Sequence, residues 1–134
     1  KTMLRLAGER DELRVVNDQI GCPTYAAAVA AASAAMLTVM LPGGEPRPDL
    51  SGTYHVACRG ETSWYGFAER IVALAGLSGR VRVTPIPTSA YPTPAQRPSY
   101  SVLSGEKLKR AFGIELPEWP DGLRQCLADG GLLG

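Results

Sequence analysis

Two stretches hold the side chains best suited to grip a ligand. In the first, LRVVNDQIGCPT at 13–24, the polar trio Asn17, Asp18 and Gln19 follows the apolar run Leu13, Val15 and Val16. In the second, PIPTSAYPTPAQRPSY at 85–100, Arg97 is the one strong charge among five prolines, at 85, 87, 92, 94 and 98. A guanidinium on a stiff backbone offers directional donors at low ordering cost, which suits the fixing of an anion. An exposed arginine beside proline rings reads equally well from spacing alone.

The remaining chemistry-bearing residues form no constellation. His55 is the only histidine and lies in TYHVA, where a core or corner role is expected of it. Cys22, Cys58 and Cys126 are odd in number and lack metal-ligand spacing. They fit a reducing compartment and small packing side chains. Glu61 and Glu115 are scattered, so no metal is assigned. A zinc site or a Ser-His-Asp triad would need partners that are not visible.

The elements that must position these groups follow from pattern. Arg14–Asn17 reads as the end of a buried strand, Gly21 as a residue suited to a tight or left-handed turn, and Pro23–Thr24 as a helix start. Strand, polar corner and helix within twelve residues is a place where sheet proteins set polar groups beside a crevice. A purely structural corner, with an Asx-type turn at Asp18, reads the same pattern. Lys1–Ala7 resembles the last turns of a helix ending at Gly8. Tyr25–Leu41 is alanine-rich and predicts a helix packed closely on a sheet rather than a membrane span.

Further along, Thr53–Cys58 predicts a short strand. Thr62 or Ser63 can cap a helix whose buried face holds Trp64, Phe67, Ala68, Ile71, Val72 and Ala75. Arg80–Thr84 alternates as a half-exposed strand limited by Pro85 and Pro87. The proline stretch excludes helix and predicts a rigid extended loop. Ser104 precedes a short helix, Glu106–Phe112, closed by Gly113. Pro120 suits the first turn of a last helix that should bury Trp119 against the Trp64 helix or its strand.

The chain has 134 residues, 45% apolar and 20% charged, with a formal net charge of +1. That is one globular domain's worth of core, with no electrostatic reason to expect a nucleic-acid partner. No signal-peptide pattern opens the chain. Its first residues read as mid-helix, so a C-terminal piece of a longer, cytoplasmic protein is expected. Neither a glycine-rich dinucleotide loop nor a Tyr-x-x-x-Lys pair is present.

The blocks VVNDQIGCPTYAAAVA, GTYHVACRGETSWYGFAERI and VTPIPTSAYPTPAQRPSYSVLSGEKLKRAFGIELPEW resemble the C-terminal part of the dTDP-4-dehydrorhamnose reductase family, extended short-chain dehydrogenases/reductases. DQIGCPT and AQRPSYSVL are the specific blocks. The resemblance implies an α/β fold: late strands of a Rossmann sheet plus a small substrate-binding domain. It divides the chain into 1–78, the late Rossmann elements and domain junction, and 79–134, part of the substrate-binding domain. It implies a parent enzyme that reduces the 4-keto group of dTDP-6-deoxy-L-lyxo-4-hexulose to dTDP-L-rhamnose with NADPH or NADH. The cofactor loop and the tyrosine acid belong to an N-terminal Rossmann half, the chain's own partner. The piece alone is therefore expected to be inactive.

By the same resemblance Arg97 helps fix the dTDP-sugar through its phosphates, and Gln19, Ser101 and Tyr100 flank the ligand. Asp18, Gly21, Pro23, Thr24 and Trp119 are structural. A homodimer and an interfacial divalent metal such as Mg2+ occur in the family, but the sequence supports neither. One departure stands out: the family's PTYxxDLA pattern is here PTYAAAVA, with Ala28 in place of the aspartate, which puts the corner's hydrogen-bond network in question. Two rival readings remain. One is another extended reductase or a non-catalytic nucleotide-sugar-binding homologue. The other is a small stand-alone interaction domain.

Overall fold

A computed structural model describes residues 1–133. The order is α1 (Thr2–Glu9), β1 (Glu12–Val16), β2 (Ile20–Gly21), α2 (Ala26–Met40), β3 (Thr62–Ser63), α3 (Trp64–Leu74), β4 (Arg82–Ile86), α4 (Glu106–Phe112) and α5 (Trp119–Asp129). Short 3-10 turns lie at Pro42–Gly44, Pro48–Leu50 and Thr88–Ala90.

β1 and β4 pair in parallel, Glu12 opposite Arg82 through Val16 opposite Ile86. This ladder joins residues on either side of position 78. Leu13, Val15 and Val81 are buried beneath it with Ala7 of α1 and Ala68 and Val72 of α3. β4 runs through Pro85 to Ile86 instead of stopping at Thr84. It can do so because the amides of Arg82 and Asn17, not that of residue 85, mark the side on which the two strands bond.

α3 follows the expected pattern apart from its first residue. Ser63 is its N-cap, its hydroxyl accepting from Gly66 N at 3.0 Å. Ala68, Ile71 and Val72 are buried, but Trp64 is 50% exposed. At the first helical position its side chain lies beyond the packed stripe, on the surface beside the corner. Trp119 meets α3 as expected, through Phe67, with ring centroids 6.1 Å apart and edge to face. Leu123 and Leu127 of α5 are buried against Ile71.

Several local expectations change. Gly8 lies inside α1, which ends at Glu9 and is capped by Arg10 in extended conformation. Thr53–Cys58 forms no ladder. Its residues Tyr54, Val56 and Cys58 pack into the core beneath α2, while Arg59 bridges Glu118. His55 in this segment is exposed rather than in the core. α2 therefore packs on this segment and on α4, not on a sheet: Ala32, Cys58, Leu108 and Leu116 form that core. Ser104 precedes the N-cap of α4, Gly105, and its hydroxyl accepts from Glu106 N at 3.3 Å. Gly113 closes α4 with φ of 67°, a left-handed residue suited to glycine.

Gly60, with φ of 77°, lets Arg59 lie against the start of α5. A Cβ there would sit 2.8 Å from Glu118 Oε2 and 3.2 Å from the Trp119 ring. Arg59 also pairs with Glu115 and Glu118, at 3.3 Å each. Lys109 and Arg59 hold the Glu115 carboxyl below its usual range. No helix among the described residues is long and apolar enough to cross a membrane.

Candidate functional site

Three short segments meet after β1. Ile20 N donates to Ser99 O at 2.8 Å, and Ser101 N donates to Ile20 O at 2.9 Å. On its other side β2 pairs antiparallel with β3, Ile20 opposite Ser63 and Gly21 opposite Thr62. The corner is thus a two-residue strand clasped between the end of the proline loop and the start of α3. Gly21 is there for space: its φ is not positive, and a Cβ would lie 3.1 Å from Ser101 Oγ. In place of the expected tight or left-handed turn stands the close approach of a neighbouring chain segment.

The polar trio ties this clasp together. Ser63 Oγ donates to Asn17 Oδ1 at 2.7 Å, joining the helix cap to the end of β1. The Asp18 carboxylate makes no local Asx turn. It accepts Thr88 N at 2.9 and 3.0 Å and the Thr88 hydroxyl at 2.6 Å. These bonds, the hydroxyl's first, hold the Asp18 carboxyl below its ordinary range. Gln19 Nε2 donates to Thr88 Oγ1 at 3.0 Å.

A cavity of about 350 Å³ opens above the clasp, lined by Gln19, Gly21, Pro23, Trp64, Arg97 and Ser101 among others. A second cleft, of about 510 Å³, continues from it and shares Gln19, Trp64 and Arg97, with Tyr91 on its far side. Arg97 makes no ion pair with any described residue, so its guanidinium is uncommitted. A neutral amide, a cation and two exposed aromatic rings around one opening suit a polar anion carrying a planar ring.

Of the residues singled out from sequence, Arg97, Gln19 and Ser101 come together at this cavity, with Gly21 and Pro23 in its floor. Tyr100 turns away, its hydroxyl donating to Glu61 at 2.6 Å, which raises the phenol's pKa. Thr24 bridges the corner to the extended segment: its hydroxyl donates to Cys22 O and accepts from Cys58 N, both at 3.1 Å. The Cys22 thiol, pushed up by burial and by Cys58, donates to Cys58 O. The three cysteines are free. Trp119 lies in the packing between α3 and α5. Ala28 lies among the apolar contacts of α2, so the Asp18–Thr88–Gln19 bonds form without a polar group there.

Thr88 is not singled out by the sequence, and Trp64 is read there as core. Thr88 reads as an ordinary loop threonine, and only its partner 70 residues earlier in the chain gives it a role. Trp64 carried a signal, its place at the very start of the helix, that favoured exposure over core. No group of three or more His, Cys, Asp or Glu among the described residues could hold a metal ion.

The family model for the RmlD substrate binding domain matches residues 1–131. The chain belongs to the RmlD substrate binding domain family. Within that family it is 47% identical over 135 residues to dTDP-4-dehydrorhamnose reductase of Burkholderia thailandensis, covering 96% of this chain and 45% of that protein. It is 42% identical to the Escherichia coli K12 enzyme of the same name, covering 95% of this chain and 42% of that protein. The crystal structure of dTDP-4-dehydrorhamnose reductase from Bacillus anthracis in complex with NADP superposes with a TM-score of 0.83 at 34% identity, over 96% of this chain and 42% of that one. The orthologue from Clostridium acetobutylicum gives 0.81 at 35% identity, over 97% and 42%. The mixed α/β fold expected of an extended short-chain reductase is therefore the fold of this RmlD domain, and the chain spans less than half the length of the relatives it matches.

Proposed function

We propose that this chain is the sugar-nucleotide-binding portion of a dTDP-4-dehydrorhamnose reductase. In that role residues 1–78 supply the junction with the nucleotide-binding half together with Gln19 and Trp64 of the ligand site, and 79–134 supply Arg97 and Ser101. The observation that carries the reading is the convergence of Gln19, from the corner after β1, with Arg97 and Ser101, from the proline loop, on one cavity beside a half-exposed tryptophan. Arg97 offers a fork of donors to the diphosphate. Gln19 and Ser101 offer neutral hydrogen bonds to sugar or base. Trp64 offers an apolar face against a ring.

The corner after β1 does not fit a nicotinamide cofactor's phosphates. The corner after β1 has a single glycine, Gly21, and it is taken up by the approach of Ser101. The reaction proposed for the whole enzyme is reduction of the 4-keto group of dTDP-6-deoxy-L-lyxo-4-hexulose by NADPH or NADH. The part of this chain is to bind and orient the nucleotide sugar, which lowers the barrier by holding the ketone in place. The partners proposed are the dTDP-sugar and the nucleotide-binding half of the same enzyme.

The test is Arg97→Ala in a complete reductase carrying this chain. KM for the nucleotide sugar should rise by roughly tenfold or more, the loss of a charge-assisted contact, with a smaller change in kcat. An unchanged KM removes the proposal.

A further inference from the structure

The three side chains Asp18, Thr88 and Gln19 form a hydrogen-bond relay with only one consistent direction. An ionised carboxylate accepts and cannot donate. The Thr88 hydroxyl, 2.6 Å from Asp18 Oδ1, must therefore give its proton to Asp18. The carboxyl is held below its ordinary range, so Asp18 is ionised at neutral pH. Having spent its proton, Thr88 Oγ1 can only accept from Gln19, 3.0 Å away. The atom of Gln19 facing it must be the amide nitrogen, because the amide oxygen has no proton to offer.

The orientation of the Gln19 amide is thereby fixed. Its Nε2 is committed to Thr88, while no described donor reaches its Oε1. Gln19 is half-buried, and among the described residues no buried side-chain oxygen lacks a partner. The free Oε1 is therefore open to the cleft that Gln19 lines. We infer that Gln19 presents a fixed hydrogen-bond acceptor to the bound ligand, and that Thr88 is the positioning residue that sets its polarity. The ligand group it selects is a neutral donor, a sugar hydroxyl or the N–H of a pyrimidine base. Phosphate oxygens, which only accept, are turned toward Arg97. Two neighbouring side chains thus sort the ligand by donor and acceptor character. This rests on the nucleotide-sugar reading above.

The experiment measures binding of dTDP-L-rhamnose and of dTDP to a complete reductase by calorimetry. Gln19→Met keeps length and removes the acceptor. Thr88→Val keeps shape and both backbone bonds to Asp18 but removes the hydroxyl. Each should weaken dTDP-L-rhamnose by about tenfold, the worth of one buried hydrogen bond. Thr88→Ser should retain wild-type affinity, which a merely space-filling threonine does not require. The double variant should lose no more than either single one, because both remove the same contact.

Loss confined to dTDP-L-rhamnose assigns the donor to a sugar hydroxyl. Equal loss for dTDP assigns it to the nucleoside. Wild-type affinity of Gln19→Met for both ligands overturns the inference. So does Thr88→Val that binds normally, or additive losses in the double variant. If Arg97→Ala still weakens binding in that case, the broader reading stands without this one; if it does not, both fall.

Discussion

The two proline-rich loops of this chain have similar composition and different fates. Residues 42–52, PGGEPRPDLSG, are held by themselves and their immediate chain neighbours: Arg47 pairs with Asp49, Arg47 N reaches back to Met40 O at 2.8 Å, and Tyr54 donates to Leu50 O. Residues 87–101 are held by another part of the chain. Asp18 takes the loop at Thr88, and Ile20 takes it again at Ser99 and Ser101. Proline stiffens both, but only the second is fixed at two ends to the corner after β1. Arg97 lies between those fixings, so its position is inherited from the corner rather than from local sequence. Composition makes a loop rigid; anchoring makes it a site.

The comparison breaks most readily where the far anchor is tight. Gly21→Val puts branched carbon where Ser101 Oγ already stands 3.1 Å from an ideal Cβ. The loop end should lift, and KM for the nucleotide sugar in the complete reductase should rise on the order of tenfold, as overpacking costs suggest. Gly21→Ala should do much less, because a single methyl asks the serine to give only a few tenths of an ångström. Steady-state kinetics on the pair reads both.

A smaller effect comes from acid at the near anchor. Asp18 has a folded pKa below its ordinary value of 3.8. Its contribution is therefore complete above 3.8 and is lost as pH falls through the folded value. The Thr88 amide proton should shift upfield over that range below 3.8 as its carboxylate partner is neutralised, with neutral pH leaving it untouched. In Asp18→Asn the same resonance should stay flat. A Thr88 resonance that moves equally in both proteins contradicts the anchor.

The smallest effect belongs to the self-contained loop. Arg47→Ala removes an exposed ion pair that connects the loop only to itself. KM and Tm should be unchanged within error. A KM change there would blur the distinction between the loops and extend the site to a region with no visible route to it.

The legible part of the molecule was that written in local pattern. The stripe Ala68, Ile71 and Val72, the cap at Ser63 and the left-handed Gly113 are decided within a few residues, and each appears where the spacing puts it. The DQIGCPT block drew attention for a reason that holds in the structure, polar residues at the end of a strand, and Arg97 of the proline loop lines the same cavity. Thr53–Cys58 has strand composition but finds side-chain cover instead of a pairing strand, and no local feature records that absence. His55 followed it to the surface. Thr88 was invisible because its meaning depends on a carboxylate far back in the chain. Gly21 was noticed but for the wrong physics, conformational freedom rather than room for a neighbour.

Pro85 gives the parallel pair a polarity of its own. The β4 residues whose bonds to β1 bracket the ladder, Arg82 and Ile86, are even-numbered, so residue 85 turns its backbone nitrogen outward. Proline there leaves a gap in the outer row of donors, and a strand approaching that side would find its register interrupted midway. Extension of the ribbon is open only beyond β1. The β4 edge thus offers an incoming strand a broken row of donors, and the ribbon grows in one direction only.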